Sequence, residues 1–187
     1  MSPQARLLTA LEPFLPPTGA ITRPERPLRL LYWRWPPIGP YNGFTGAERI
    51  RGWQAMHLLL QAGALAKDTS CSGCGSRHEL AFHSETYFHP AEHVTVCKPC
   101  HIQLHRRFKN PDAFRAYRDR AREQHGGPTL LDVLPMEPLD LAGWYRLHGI
   151  DDLQWPDGFA SILATHPIIG RWHVGPEERP HTPDLFA

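Results

Sequence analysis

The sequence predicts an α+β protein of short elements: a small core with flanking short helices and proline-rich arms. Three observations predict it. Four cysteines fall in two pairs, Cys71-Ser72-Gly73-Cys74 and Cys97-Lys98-Pro99-Cys100, with 22 residues between them. Twenty prolines in 187 residues are about twice the usual share, and proline at that density breaks long helices and central strands. Runs with helical spacing alternate with strand-like runs of a few residues.

Residues 1–44 read as a proline-rich N-terminal arm, with a short helix over Gln4–Glu12. Leu28–Trp35 is rich in Leu, Tyr and Trp and reads as a strand or an extended arm. Its aromatics Tyr32, Trp33 and Trp35, beside Arg29 and Arg34, suit base stacking, although such residues more often pack an arm onto a core. Residues 45–66 read as a capped amphipathic helix. Thr45-Gly46-Ala47-Glu48 has the form of a capping box, Ile50, Trp53, His57 and Leu60 recur at helical spacing as the buried face, and Gly63 stops it. Residues 67–125 form the cysteine module, with strands over Leu80–His83 and Val94–Val96, a helix from His101 to Arg107, and an amphipathic helix over Asp112–Gln124. Residues 126–174 read as a helical accessory layer, with helices near Leu139–Leu147 and Gly158–Thr165. Residues 175–187 read as a disordered tail.

Composition narrows the function. With 41% hydrophobic residues the chain supports a modest core. Its longest apolar runs are a few residues, so no membrane span of about 20 apolar residues is expected. Met1-Ser2-Pro3-Gln4 lacks the basic start and apolar run of a secretory signal, which points to the cytoplasm. The net charge of +1 excludes binding of nucleic acid by bulk charge. A local patch remains: Arg106, Arg107, Lys109, Arg115, Arg118 and Arg122 are candidate DNA contacts in the one basic stretch of the chain. A solvated helix face is the simpler account of such a run.

Two CxxC pairs at this separation are the usual form of a four-thiolate zinc site, with Cys71, Cys74, Cys97 and Cys100 as ligands of a structural Zn2+. Histidine is also concentrated: six of twelve lie between residues 78 and 105. His101 and His105 stand at i, i+4, which on a helix puts both rings on one face, able to share a metal. The cysteines already fill one zinc, so this pair suggests a second ion. In the alternative, one of the two replaces a cysteine or caps the helix.

A CxxC, a strand with histidine, and a second CxxC followed at once by His and by another His four residues on resemble the zinc-ribbon branch of the HNH endonucleases (ββα-metal, or His-Me finger). The likeness covers Cys71 to Phe108 and extends to Glu85, Tyr87 and Pro90, as in phage and bacterial defence sequences. It implies a zinc-ribbon/ββα-metal core and DNA as partner. It also implies a catalytic Mg2+, Mn2+ or Ni2+ held by His101, with His105 as its occasional partner. The strand pair of this family, one metal ligand and one general base, falls on Phe82-His83 or on His83-Ser84. The first register keeps the base and loses a ligand. The second keeps a ligand and puts Ser84 in the base's place. The central asparagine falls on Glu92, so the catalytic set reads His83, Glu92, His101, with His83 as the base and Glu85 able to lend a carboxylate ligand.

Two further readings stand beside the nuclease, and one feature of the tail accompanies it. A degenerate HNH module would keep the zinc fold and bind DNA without cutting it, or act as an adaptor. His83-Ser84-Glu85 followed by Cys97-Lys98-Pro99-Cys100 is similar to the zinc deaminase signature. Against that reading, Val96 replaces the proline, the spacing is short, and Cys71 and Cys74 are left unexplained. The final Asp184-Leu185-Phe186 resembles peptides that dock on the bacterial sliding clamp, a match that also arises by chance in tails.

Overall fold

The computed structural model describes residues 1–16, 19, 21 and 23–173. The tail with Asp184-Leu185-Phe186 lies outside these residues. The fold is α+β: seven α-helices and two small two-stranded sheets among the described residues. No helix among them is long and apolar enough to cross a membrane.

Helix α1 (Pro3–Leu11) starts where the Ser2 hydroxyl accepts from the Ala5 amide and Pro3 gives up an amide that has no helical partner. It buries Leu7 and Leu11. Strand β1 is only Leu28–Arg29, and the rest of the Leu28–Trp35 segment is irregular. It pairs in parallel with β4 (Ile168–Ile169). Two-residue strands carry no periodic signal, so this pairing escaped the sequence.

Helix α2 (Gly46–Gln61) opens with the expected capping box. Its buried face differs from expectation. Ile50 is buried, but so are Gly52, Gln54, Ala55, Met56, Leu58 and Leu59, while Trp53, His57 and Leu60 are half-buried. The helix is enclosed on most sides, and the Trp53, His57 and Leu60 stripe lines a cavity, with Trp53 and Leu60 also packed at the edge of an apolar cluster. Gly52 lies against the loop after β2: a β-carbon there would stand 2.7 Å from the Tyr87 carbonyl oxygen. Buried Gln54 donates to the carbonyls of Leu31 and Arg171 and accepts from the His173 amide. It ties the arm to the returning chain.

Strands β2 (Leu80–His83) and β3 (Val94–Cys97) pair antiparallel, with Leu80 opposite Cys97 and His83 opposite Val94. One end of the hairpin therefore meets the cysteines and the other presents His83. Helix α3 (Lys98–Arg106) starts directly from Cys97, three residues earlier than expected, because Pro99 suits the first turn. Helix α4 (Pro111–His125) is capped by Asn110 and ends at Gly126. Then come α5 (Leu130–Val133), too short to be read from sequence, α6 (Leu141–Leu147) and α7 (Phe159–Thr165).

The apolar residues form two clusters. One surrounds the cysteines and gathers Leu7, Leu104, Phe114, Leu130, Leu131 and Leu141. The other joins β1 and α2 to Phe159 and takes in Phe82 and Ala91. The β2–β3 hairpin touches both, with Val94 and Val96 in the first and Phe82 against the second.

Candidate functional site

The four cysteines come together. Their sulfurs all lie within 4.8 Å of one another, and none forms a disulfide. Cys74 and Cys97 Sγ are 3.5 Å apart. A tetrahedron with Zn–S bonds of about 2.3 Å sets its sulfurs roughly 3.8 Å apart, so these residues can hold a structural metal such as zinc. The first knuckle turns at Gly75, whose φ of 72° is one that residues with a β-carbon rarely adopt. Its amide donates to the Cys71 carbonyl, and the Gly73 amide donates to Cys71 Sγ. The Tyr117 hydroxyl lies 3.2 Å from Cys100 Sγ, a hydrogen-bond donor from α4 suited to a thiolate.

A second cluster sits at the other end of the hairpin. His83 from β2 meets His101 and His105 from α3, with one nitrogen of each within 4.8 Å of the others. The i, i+4 spacing does what it predicts: His101 and His105 Nε2 are 3.0 Å apart. Burial lowers the pKa of His101 to about 4 and of His105 to about 2, reinforced by His83 and Arg49 for both rings. Both rings are therefore neutral near pH 7, the form in which imidazole binds a metal.

Behind His83 lies a buried polar network. His83 Nε2 is 2.8 Å from Glu85 Oε1, leaving a buried Nδ1 without a protein partner. Glu85 accepts from the Tyr41 hydroxyl at 2.9 Å, from Asn42 Nδ2 at 2.6 Å and from Arg107 at 2.8 Å. Arg107 also donates to the Tyr41 hydroxyl and to the carbonyls of Leu104 and Pro135. Burial alone would push the Glu85 carboxyl up, but Arg107 and His83 against it hold it well below the usual carboxylate range. Glu85 therefore stands behind His83 with both oxygens engaged, one of them on the His83 ring itself.

The other candidates have different places. Ser84 is buried and its hydroxyl donates to the Thr86 carbonyl at 2.6 Å, closing a turn. Glu92 accepts from Thr86 Oγ1 and lies 3.6 Å from His89, on the far side of the same loop and away from the cavity lining. Arg107, read as a DNA contact, is fully buried and committed to Glu85, so it has no surface to offer. Arg115 pairs with Asp112, Arg118 with Asp119, and Arg122 with Asp132. Arg106 and Lys109 are exposed. The deaminase ligand set is not assembled: the cysteines cluster with one another, and His83 belongs to the separate histidine group.

The histidines open onto a cavity of about 580 Å³ lined by Trp33, Trp35, Trp53, His57, Arg49 and Lys67, among others. His93 also lines it, buried, its pKa lowered to about 3 by that burial. Sequence reasoning missed Tyr41 and Asn42, just before the capped helix, and Arg49, near its start, none of which carries a motif. No family model, no curated protein and no solved structure matches this chain.

Proposed function

We propose that this protein is a metal-dependent nuclease of the HNH type that hydrolyses phosphodiester bonds in DNA. The observation that carries the reading is the convergence of His83, His101 and His105 on a strand–loop–strand–helix unit stapled by four cysteines. Three imidazoles beside an open cavity fit a divalent ion, and they suit Ni2+ or Zn2+ better than Mg2+, which prefers oxygen ligands. Such an ion supplies charge neutralisation at a phosphate oxygen and makes water more acidic.

In this reading His83 is a ligand, with Nδ1 as its metal-binding atom, and Glu85 is a positioning residue that fixes the ring. Glu92 stands at the family's asparagine position and braces the loop through Thr86. Arg106, Lys109 and Arg120 are the exposed cations of the basic stretch that no carboxylate pairs among the described residues, and they are left for DNA. One observation favours a second reading. Ser84 stands in the base's position with its hydroxyl locked in a turn, and serine cannot take a proton at neutral pH. A module that binds DNA without cutting it would look the same.

The test is nicking of supercoiled plasmid by zinc-loaded protein titrated with Ni2+, Mn2+ and Mg2+. Nicking that falls at least ~100-fold in both His83→Ala and His101→Ala is the expected result. If protein that retains its one zinc cleaves with none of these metals, the nuclease reading is wrong and the binding module remains.

A further inference from the structure

The cavity beside the histidines has a character that hydrolysis alone does not require. Its far wall is indole. Trp33 and Trp35 each stand nearly perpendicular to Trp53 and lie at 63° to one another, with ring centroids 4.9 Å (Trp33–Trp35), 5.3 Å (Trp33–Trp53) and 5.9 Å (Trp35–Trp53) apart, and His57 continues the wall 4.6 Å beyond Trp53. The indoles are in mutual contact, so they form a stepped wall and not an open cage. Trp33 donates its ring N–H to the Pro36 carbonyl, which holds the arm in this shape. Trp35 is 56% exposed, an unusual exposure for so large an apolar surface.

The charges lining the cavity are of one sign. Arg49 and Lys67 contribute, and no carboxylate is among the described residues that line it. Arg49 reaches the Gly39 carbonyl with one terminal nitrogen and lies over the Tyr41 and Tyr87 rings, while its buried Nε has no hydrogen-bond partner among the described residues. A cationic guest is therefore disfavoured despite the aromatic wall. The ligand that matches a π-surface, a positive rim and three metal-binding imidazoles is a planar ring carrying an anion.

We infer that this cavity receives an unpaired nucleotide of a DNA strand, its base stacked on the Trp35–Trp53 wall and its phosphate directed to Arg49 and the histidines. The assignment of the phosphate rests on the nuclease reading; the stacking wall does not. A base inside a duplex has both faces covered by its neighbours and cannot lie on an indole. The substrate class that follows is single-stranded DNA, or a strand locally opened, and not intact duplex. Every base has a π-face, so little sequence preference is expected.

The experiment uses zinc-loaded full-length protein without a second metal. Binding of a labelled 12-nucleotide oligo-dT and of a 12-base-pair duplex is followed by anisotropy, with tryptophan quenching as a second signal. The oligonucleotide should bind more tightly than the duplex. Trp35→Ala should weaken oligonucleotide binding about tenfold, the size of one lost stacked base, and leave duplex binding unchanged. Trp35→Phe should restore most of it. Zinc content and melting temperature check that both variants fold, as the exposure of Trp35 leads one to expect. Equal affinity for both DNAs, or an unchanged affinity in Trp35→Ala, overturns the inference even if plasmid nicking succeeds. Trp35-dependent binding by a protein that nicks plasmid with none of the added divalent metals supports the stacking wall and removes only the nuclease.

Discussion

Arg107 shows how far a residue's role depends on what surrounds it. In the sequence it is one cation in a basic run, and a count of charges sends it to DNA. In the fold it is the most enclosed charge of the candidate site, paired with Glu85 at 2.8 Å and stacked 4.1 Å over Phe108. Burial of a single side chain has no local signature, so Arg106 and Arg107 look alike until the tertiary structure separates them. Removing one partner of a buried pair leaves the other charge uncompensated, which is costlier than the pair itself is worth. Arg107→Ala should therefore lower stability by about 3–5 kcal/mol in urea unfolding. The double variant Arg107→Met/Glu85→Gln should recover much of that loss. His101 and His105 were legible for the opposite reason: their pairing is set by helix geometry alone, and no distant residue is needed to bring them together.

At the scale of elements, α2 and the loop over residues 84–93 each supply part of the cavity lining. Their contact depends on Gly52, which lets the helix approach the Tyr87 backbone. Gly52→Ala forces a methyl group against a carbonyl that the loop cannot easily move. The expected result is a loss of about 1–3 kcal/mol, read by thermal melting. In a nicking assay the same variant should lose activity beyond its loss of stability, because the displaced loop carries Glu85. The helix itself was legible from its capping box, but the function of its stripe was not. Periodicity shows that Trp53, His57 and Leu60 share a face; it does not say whether that face meets a core or a cavity. The hairpin strands were legible because they lie between two CxxC knuckles. The β1–β4 pairing was not, since it rests on two residues from each end of a long separation.

For the molecule as a whole, the two apolar clusters are each small and one of them is built around the cysteines. Cys71, Cys97 and Cys100 are themselves buried in it. Apparent zinc-binding free energies of about 10–16 kcal/mol at such sites match or exceed the roughly 5–15 kcal/mol that keeps a domain folded. Stripping the metal with a strong chelator should abolish the cooperative melting transition, and Cys97→Ser should bind less than one zinc per chain by elemental analysis. A chain that keeps its melting temperature without metal would refute a structural role for the cysteines. The α+β class and the gathering of the four cysteines could be read from composition and spacing. The joining of the two clusters by the hairpin could not, because it depends on which side of each strand meets which helix.

The parallel pairing of Leu28 with Ile168 also sets a schedule. A ribosome adding about 5–20 residues per second needs roughly 7–28 s to travel between those positions. During that time the cysteines and the three histidines are already synthesised, while the segment bearing Trp33 and Trp35 has no strand to pair with. Gln61 offers an interim hold, its side-chain amide giving and taking hydrogen bonds with the Arg29 backbone as a neighbouring strand would. The cysteine and histidine clusters are thus complete first, and the arm that faces the histidines is fastened last.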